Sequence, residues 1–230
     1  MKKNIIILSI IVVIALVIAI LFFLLNNKGM SDGERFKQEY EELNDSHLEV
    51  NIDSDNMIKY IGLEEAIDII KNDTGVIYFG YPSCPWCRNA VPVLLDAASS
   101  TSLDTIYYVN AYNIRDVKEI DDDGNIVTTN EGDRLYDDLL EVLDDILDPY
   151  TITDDNGEVI DLGEKRLYVP MVLFVKDGEV VSYHLSTVDS QEDPSISLND
   201  SQRDELYNIY LDGINNVVGG ICNVQESGSC

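Results

Sequence analysis

A pair of cysteines at the junction between a strand-forming run and a helix-forming run constrains the fold of this chain more than any other stretch. Val76-Ile77-Tyr78-Phe79 is β-branched and aromatic and ends at Gly80; a short turn leads to Cys84-Pro85-Trp86-Cys87 and then to an apolar helical pattern. The order is strand, loop, helix, with Cys84 at the helix N-terminus. Unpaired backbone N–H groups and the positive end of the helix dipole favour an anion at that position. Cys84 is therefore expected to be the more acidic thiol and the attacking one. Two intervening residues bring both sulfurs within disulfide reach, so Cys87 can resolve a mixed disulfide formed at Cys84.

Pro92 lies eight residues after Cys84, and Val169-Pro170 leads into an apolar run at 171–175. Together with the strand, the loop and the Cys-Pro-Trp-Cys tetrad, these features resemble the thioredoxin superfamily over residues 57–218. The resemblance implies an α/β, thioredoxin-like fold: a central mixed sheet flanked by helices. It also implies that Cys84 attacks and Cys87 resolves, that Pro92 kinks its helix, and that the Val169-Pro170 bond is cis and packs beside the cysteines. Substrate would then meet Val169 and Pro170; Trp86 and Tyr81 are read either as a substrate-contacting rim or as packing. Two features depart from the pattern. Tyr78 stands six residues before Cys84, where many thioredoxins carry a buried acid, and Pro-Trp between the cysteines is closer to glutaredoxins than to the Gly-Pro of thioredoxins. Oxidation, reduction and isomerisation of substrate all remain open. The Phe-Gly-Tyr-Pro-Ser-Cys-Pro-Trp-Cys stretch, the apolar leader and the acidic body are similar to membrane-anchored proteins of Gram-positive bacteria described as bacteriocin-transport accessory proteins. That similarity gives a second reading, a module that holds a secreted peptide without turning it over.

With 230 residues, of which 45% are hydrophobic, the chain can build a sizeable core. Its 43 acids against 15 bases give a net charge of −28, and the body is more negative still once Lys2, Lys3 and Lys28 are set aside. Such a surface repels nucleic acid and anionic membranes, so nucleic acid is not an expected partner. Residues 5–25 are apolar apart from Ser9, long enough to cross a bilayer as a helix. No small-residue cleavage site follows, and no cysteine that could carry a lipid, so residues 1–30 read as an uncleaved membrane anchor. Lysines before the span place the N-terminus inside and the acidic body outside the cytoplasm. Residues 31–55, polar and acidic with a short helix at 33–43, read as a stalk, leaving 56–230 for the domain.

Within that domain the patterns predict a strand at 57–61, a helix at 63–71 with Leu63, Ala66, Ile67 and Ile70 buried, and a strand at 105–110. An insertion at about 113–166 carries two turns, Asp123-Gly124-Asn125 and Asp155-Asn156-Gly157, as hairpin decoration around a helix at 133–147. Strands at 169–175 and 179–185 and a helix at 198–218 complete the order β-α-β-α-β-α-β-β-α. Cys222 and Cys230 enclose a short polar loop and are expected to form a structural disulfide; the alternative is that one of them exchanges with Cys84-Cys87. Their spacing is not that of a zinc knuckle, His47 and His184 have no ligand-like neighbours, and neither acidic loop has calcium-loop spacing. No metal or other cofactor is implied. The expected partners are thiols and disulfides of proteins or peptides, with the membrane engaged through the N-terminal helix.

Overall fold

Apolar runs too short for helices become the strands of one mixed sheet. The computed structural model describes residues 29–121, 123–154 and 156–219. In chain order the elements are α1 (Asp32–Glu41), β1 (Ile58–Tyr60), α2 (Leu63–Asn72), β2 (Gly75–Gly80), α3 (Pro85–Ser99), β3 (Ile106–Asn110), β4 (Val117–Ile120) and β5 (Ile126–Asn130). They continue with α4 (Tyr136–Val142), β6 (Asp148–Thr153), β7 (Val159–Arg166), β8 (Met171–Lys176), β9 (Glu179–Leu185) and α5 (Asp200–Val218).

The central sheet has the order β1-β3-β2-β8-β9; β1, β3 and β2 run parallel, and β8 and β9 antiparallel to their neighbours. Every residue of β2 is buried, as a strand covered on both faces requires. Val76 and Tyr78 face one helical layer with Val172 and Phe174 of β8, α3 and α5. Ile77 and Phe79 face the other with Leu173, α2 and α4. This is the mixed sheet between helical layers that the thioredoxin resemblance implied. Between β8 and β9, Asp177 and Gly178 take positive φ values of 52° and 79°, the two-residue hairpin turn that suits strand twist. Gly178 is required twice over, because a β-carbon there would strike the Lys71 carbonyl.

Residues 31–55 do not form the expected stalk. The compact unit begins at Asp32, and α1 lays Phe36 and Tyr40, both fully buried, over the sheet. Val50 and Ile52 follow, at 4% and 2% exposure. At roughly 1.5–3 kcal/mol per buried side chain, these four add a substantial share of the core. The ring of Phe36 meets that of Tyr108 edge-on at 4.9 Å.

Two boundaries and one buried position also differ. The helix expected at 133–147 is α4 followed by a single 3-10 turn, Asp144–Ile146, because Pro149 forces Asp148 into extended backbone and starts β6 there. The last helix starts at Asp200, where Asn199 accepts the Gln202 N–H and the Gln202 side chain accepts the Asn199 N–H, a reciprocal cap. In α2, Leu63, Ala66 and Ile70 are buried as expected, and Ile69 rather than Ile67 completes the face, Ile67 being half-exposed. Both hairpins are present as β4-β5 and β6-β7. Among the described residues no helix is long and apolar enough to cross a membrane; the apolar run 5–25 and the pair Cys222 and Cys230 lie outside them.

Candidate active site

Cys84 is the N-cap of α3, in extended backbone, with Pro85 at the first helical position where its missing N–H costs nothing. The Cys84 sulfur accepts the Cys87 N–H at 3.2 Å, and it lies 3.9 Å from the Val169 carbonyl oxygen. No acid occupies the first turn of α3, so nothing there opposes a thiolate. The thiol of Cys87, donating to the Cys84 sulfur, is the largest influence pulling the Cys84 thiol below the ordinary cysteine range. The N–H groups of Cys87 and Trp86 and the Arg115 guanidinium add to it, and burial works against it. Burial pushes Cys87 the other way, well above its usual value, and the adjacent Cys84 reinforces this. Both are free thiols, 3% and 0% exposed. One thiol is thus poised to ionise and the other held protonated, the asymmetry that attack and resolution need.

Arg115 comes from the insertion, just before β4. Its guanidinium sits 5.5 Å from the Tyr81 ring and donates to the Leu167 carbonyl at 3.3 Å. The insertion is therefore more than decoration, since it supplies a cation to the thiolate. Tyr81 in turn meets Tyr112 edge-on at 5.4 Å.

Beneath Cys87 lies a layer of buried phenols. Tyr78 hydrogen-bonds Tyr40 through their hydroxyls at 2.9 Å and stacks on Tyr108 at 5.4 Å. Gly80 makes room for it: a β-carbon at Gly80 would overlap the Tyr78 hydroxyl.

Arg88, 1% exposed, follows Cys87 in α3. It donates to the carbonyls of Leu48 (2.6 Å), Tyr40 (2.8 Å) and Pro82 (2.9 Å) and to Oδ1 of Asn44 (2.6 Å). One side chain thereby ties α1 and its following segment to the loop that presents Cys84.

Of the residues expected from sequence, Cys84, Cys87 and Val169 converge. The Val169-Pro170 bond is cis, as the resemblance implied, with Pro170 buried and Val169 half-buried. Tyr81 and Trp86 are both half-exposed beside Cys84, so both packing and substrate contact are open to them. Arg88, Arg115 and Tyr40 were not identified from sequence. Only the adjacency of Arg88 to the tetrad offered a signal, because their partners lie far away in the chain.

No family model matches this chain, and no curated protein matches it. Among solved structures it is similar to a thioredoxin from Aeropyrum pernix, at 12% identity over 69% of this chain and 86% of that one, with a TM-score of 0.33.

Proposed function

We propose that this chain is a thiol-disulfide oxidoreductase acting on protein or peptide substrates. The Cys84 thiolate attacks one sulfur of a substrate disulfide; that S–S bond breaks, the mixed disulfide forms, and one substrate thiolate leaves. Cys87 then loses its proton and attacks the Cys84 sulfur, closing the Cys84-Cys87 disulfide and releasing the second thiolate. The substrate gains two electrons and the pair loses two; run backwards, the same steps oxidise a dithiol. The observation that carries the reading is the pairing of a helix-capping, N–H-bonded Cys84 with a fully buried Cys87. An N-terminal anchor spanning 5–25, with the domain outside the cytoplasm, belongs to the same proposal and rests on the sequence pattern. The test is turnover of insulin disulfides and of a dithiol peptide by the full-length protein, with the reduction potential of the pair setting the direction. Cys84→Ser should abolish turnover, and full activity in that variant would refute the proposal.

One observation favours the accessory reading: Cys84 is only 3% exposed in the dithiol form. A protein that only holds a peptide would keep its cellular phenotype in Cys84→Ser, whereas an oxidoreductase would lose it.

A further inference from the structure

Residues 48–53 belong to no helix or strand, but from Glu49 to Asp53 exposed and buried residues alternate as they do along a strand, and the two edges are treated differently. On one edge, side chains stand in for a neighbouring strand. Asn44 accepts the Val50 N–H (3.0 Å) and donates to the Val50 carbonyl (2.8 Å). Glu41 accepts the Ile52 N–H (2.9 Å), Lys37 donates to the Ile52 carbonyl (2.6 Å), and Arg88 donates to the Leu48 carbonyl (2.6 Å). Because alternate residues of extended chain present their N–H and C=O groups to opposite edges, the other edge belongs to Glu49, Asn51 and Asp53. There the Glu49 and Asn51 backbones have no hydrogen-bond partner among the described residues, and both residues are exposed. A half-satisfied strand edge of this kind is a template for another chain.

The bare edge borders a cavity of about 560 Å³ between this segment and α3, within the range of about 300–1,000 Å³ usual for ligand clefts. Its far wall carries Pro92, Leu95 and Leu198, apolar surface for alternate side chains of a bound strand. Its charge is negative. Glu49, Asp53 and Asp55 line it without an ion pair among the described residues, while Asp96 is already paired by Arg203. Arg88, the other cation of the lining, has its donors directed to carbonyl and amide oxygens.

We propose that the groove between residues 48–57 and α3 is a docking site for a cationic peptide in extended conformation, which adds as a strand to the free backbone edge of Glu49 and Asn51, the Asp53 carbonyl being already taken by the Asn56 side chain at 2.6 Å. Backbone pairing supplies affinity and the three carboxylates select lysine or arginine side chains. The site does not depend on thiol exchange, although a peptide held there lies along the helix whose first turn carries the cysteines.

The test uses full-length protein in dodecyl maltoside and a fluorescein-labelled, cysteine-free decapeptide of alternating lysine and valine. Saturable binding is expected, weakened at least tenfold in Glu49→Lys/Asp53→Lys. It should also weaken at least tenfold when every second peptide nitrogen is methylated in one of the two phases, which keeps the charge and removes the ladder. Amide exchange at Glu49 and Asn51 should slow when peptide is added. Equal binding of both methylated phases would show attraction to the acidic body alone and overturn the proposal. So would equal binding of a glutamate-valine peptide, or no effect of the charge reversal. Binding seen only after residues 220–230 are deleted would give the groove to this chain's own tail, and binding that competes with self-association would give it to a second copy; either result overturns the proposal. Because the peptide lacks cysteine, these outcomes are separate from the fate of the redox reading.

Discussion

Replacing Arg88 by methionine keeps most of the buried side-chain volume and removes every donor. Four acceptors lose a partner, but not equally. The Tyr40 carbonyl still accepts the Leu43 N–H at 3.3 Å, and Asn44 Oδ1 still accepts the Val50 N–H at 3.0 Å. The Leu48 and Pro82 carbonyls have no other donor among the described residues. Stranding a buried acceptor costs about 1–3 kcal/mol. Both residues are half-exposed, so water recovers part of this, and the desolvation cost of a buried guanidinium is also relieved. The net loss is about 2–3 kcal/mol of a total stability on the order of 5–15 kcal/mol. Urea unfolding followed by the fluorescence of Trp86 measures it. Because Pro82 lies in the loop before Cys84, alkylation of Cys84 should change in the same variant. Arg88→Lys, with a single nitrogen, should fall between the two. A methionine variant within about 0.5 kcal/mol of the parent, the size of an ordinary surface change, with unaltered Cys84 alkylation, would refute the clamp.

Arg115→Gln removes a cation that favours the Cys84 thiolate, so the thiol pKa should rise. The pH profile of Cys84 alkylation, which climbs as the thiolate forms, should then move to higher pH; an unmoved profile would remove Arg115 from the site. Tyr78→Phe strands the Tyr40 hydroxyl, at a cost of about 1–2 kcal/mol. Urea unfolding measures that loss, and a variant as stable as the parent would show that the Tyr40–Tyr78 hydroxyl pair contributes nothing. Gly213→Ala sets a helix-propensity gain of about 1 kcal/mol against overlap with the Phe174 ring, which packs where the methyl would go. Overpacking costs about 1–3 kcal/mol, so thermal unfolding should show net destabilisation despite the better helix former.

The strand, tetrad and helix were legible because their information is local: β-branched residues, a glycine stop, two cysteines and a proline within one short stretch. The stalk was misread because Asp and Glu dominate residues 31–55 and the four apolar side chains that anchor it, Phe36, Tyr40, Val50 and Ile52, are spread thinly among them. Low average hydrophobicity hides a one-sided helix followed by a segment of alternating burial. Arg115 could not be read as part of the site, since its link to Tyr81 and Leu167 is made by the return of the insertion to the sheet rather than by any neighbouring pattern. Arg88 is similar: a charged residue after the tetrad reads as surface until two distant carbonyls, of Tyr40 and Leu48, and the nearby one of Pro82 are seen to surround it.

The division of labour between the two cysteines is tested most directly by the mass of the adducts that single-cysteine variants form with a disulfide-containing peptide. The full-length Cys87→Ser protein should accumulate a stable mixed disulfide through Cys84, and the Cys84→Ser protein, its remaining thiol buried and held protonated, should stay unmodified over the same period. A mixed disulfide accumulating through Cys87 in Cys84→Ser, at a rate equal to or above that of Cys84 in the other variant, would contradict the account.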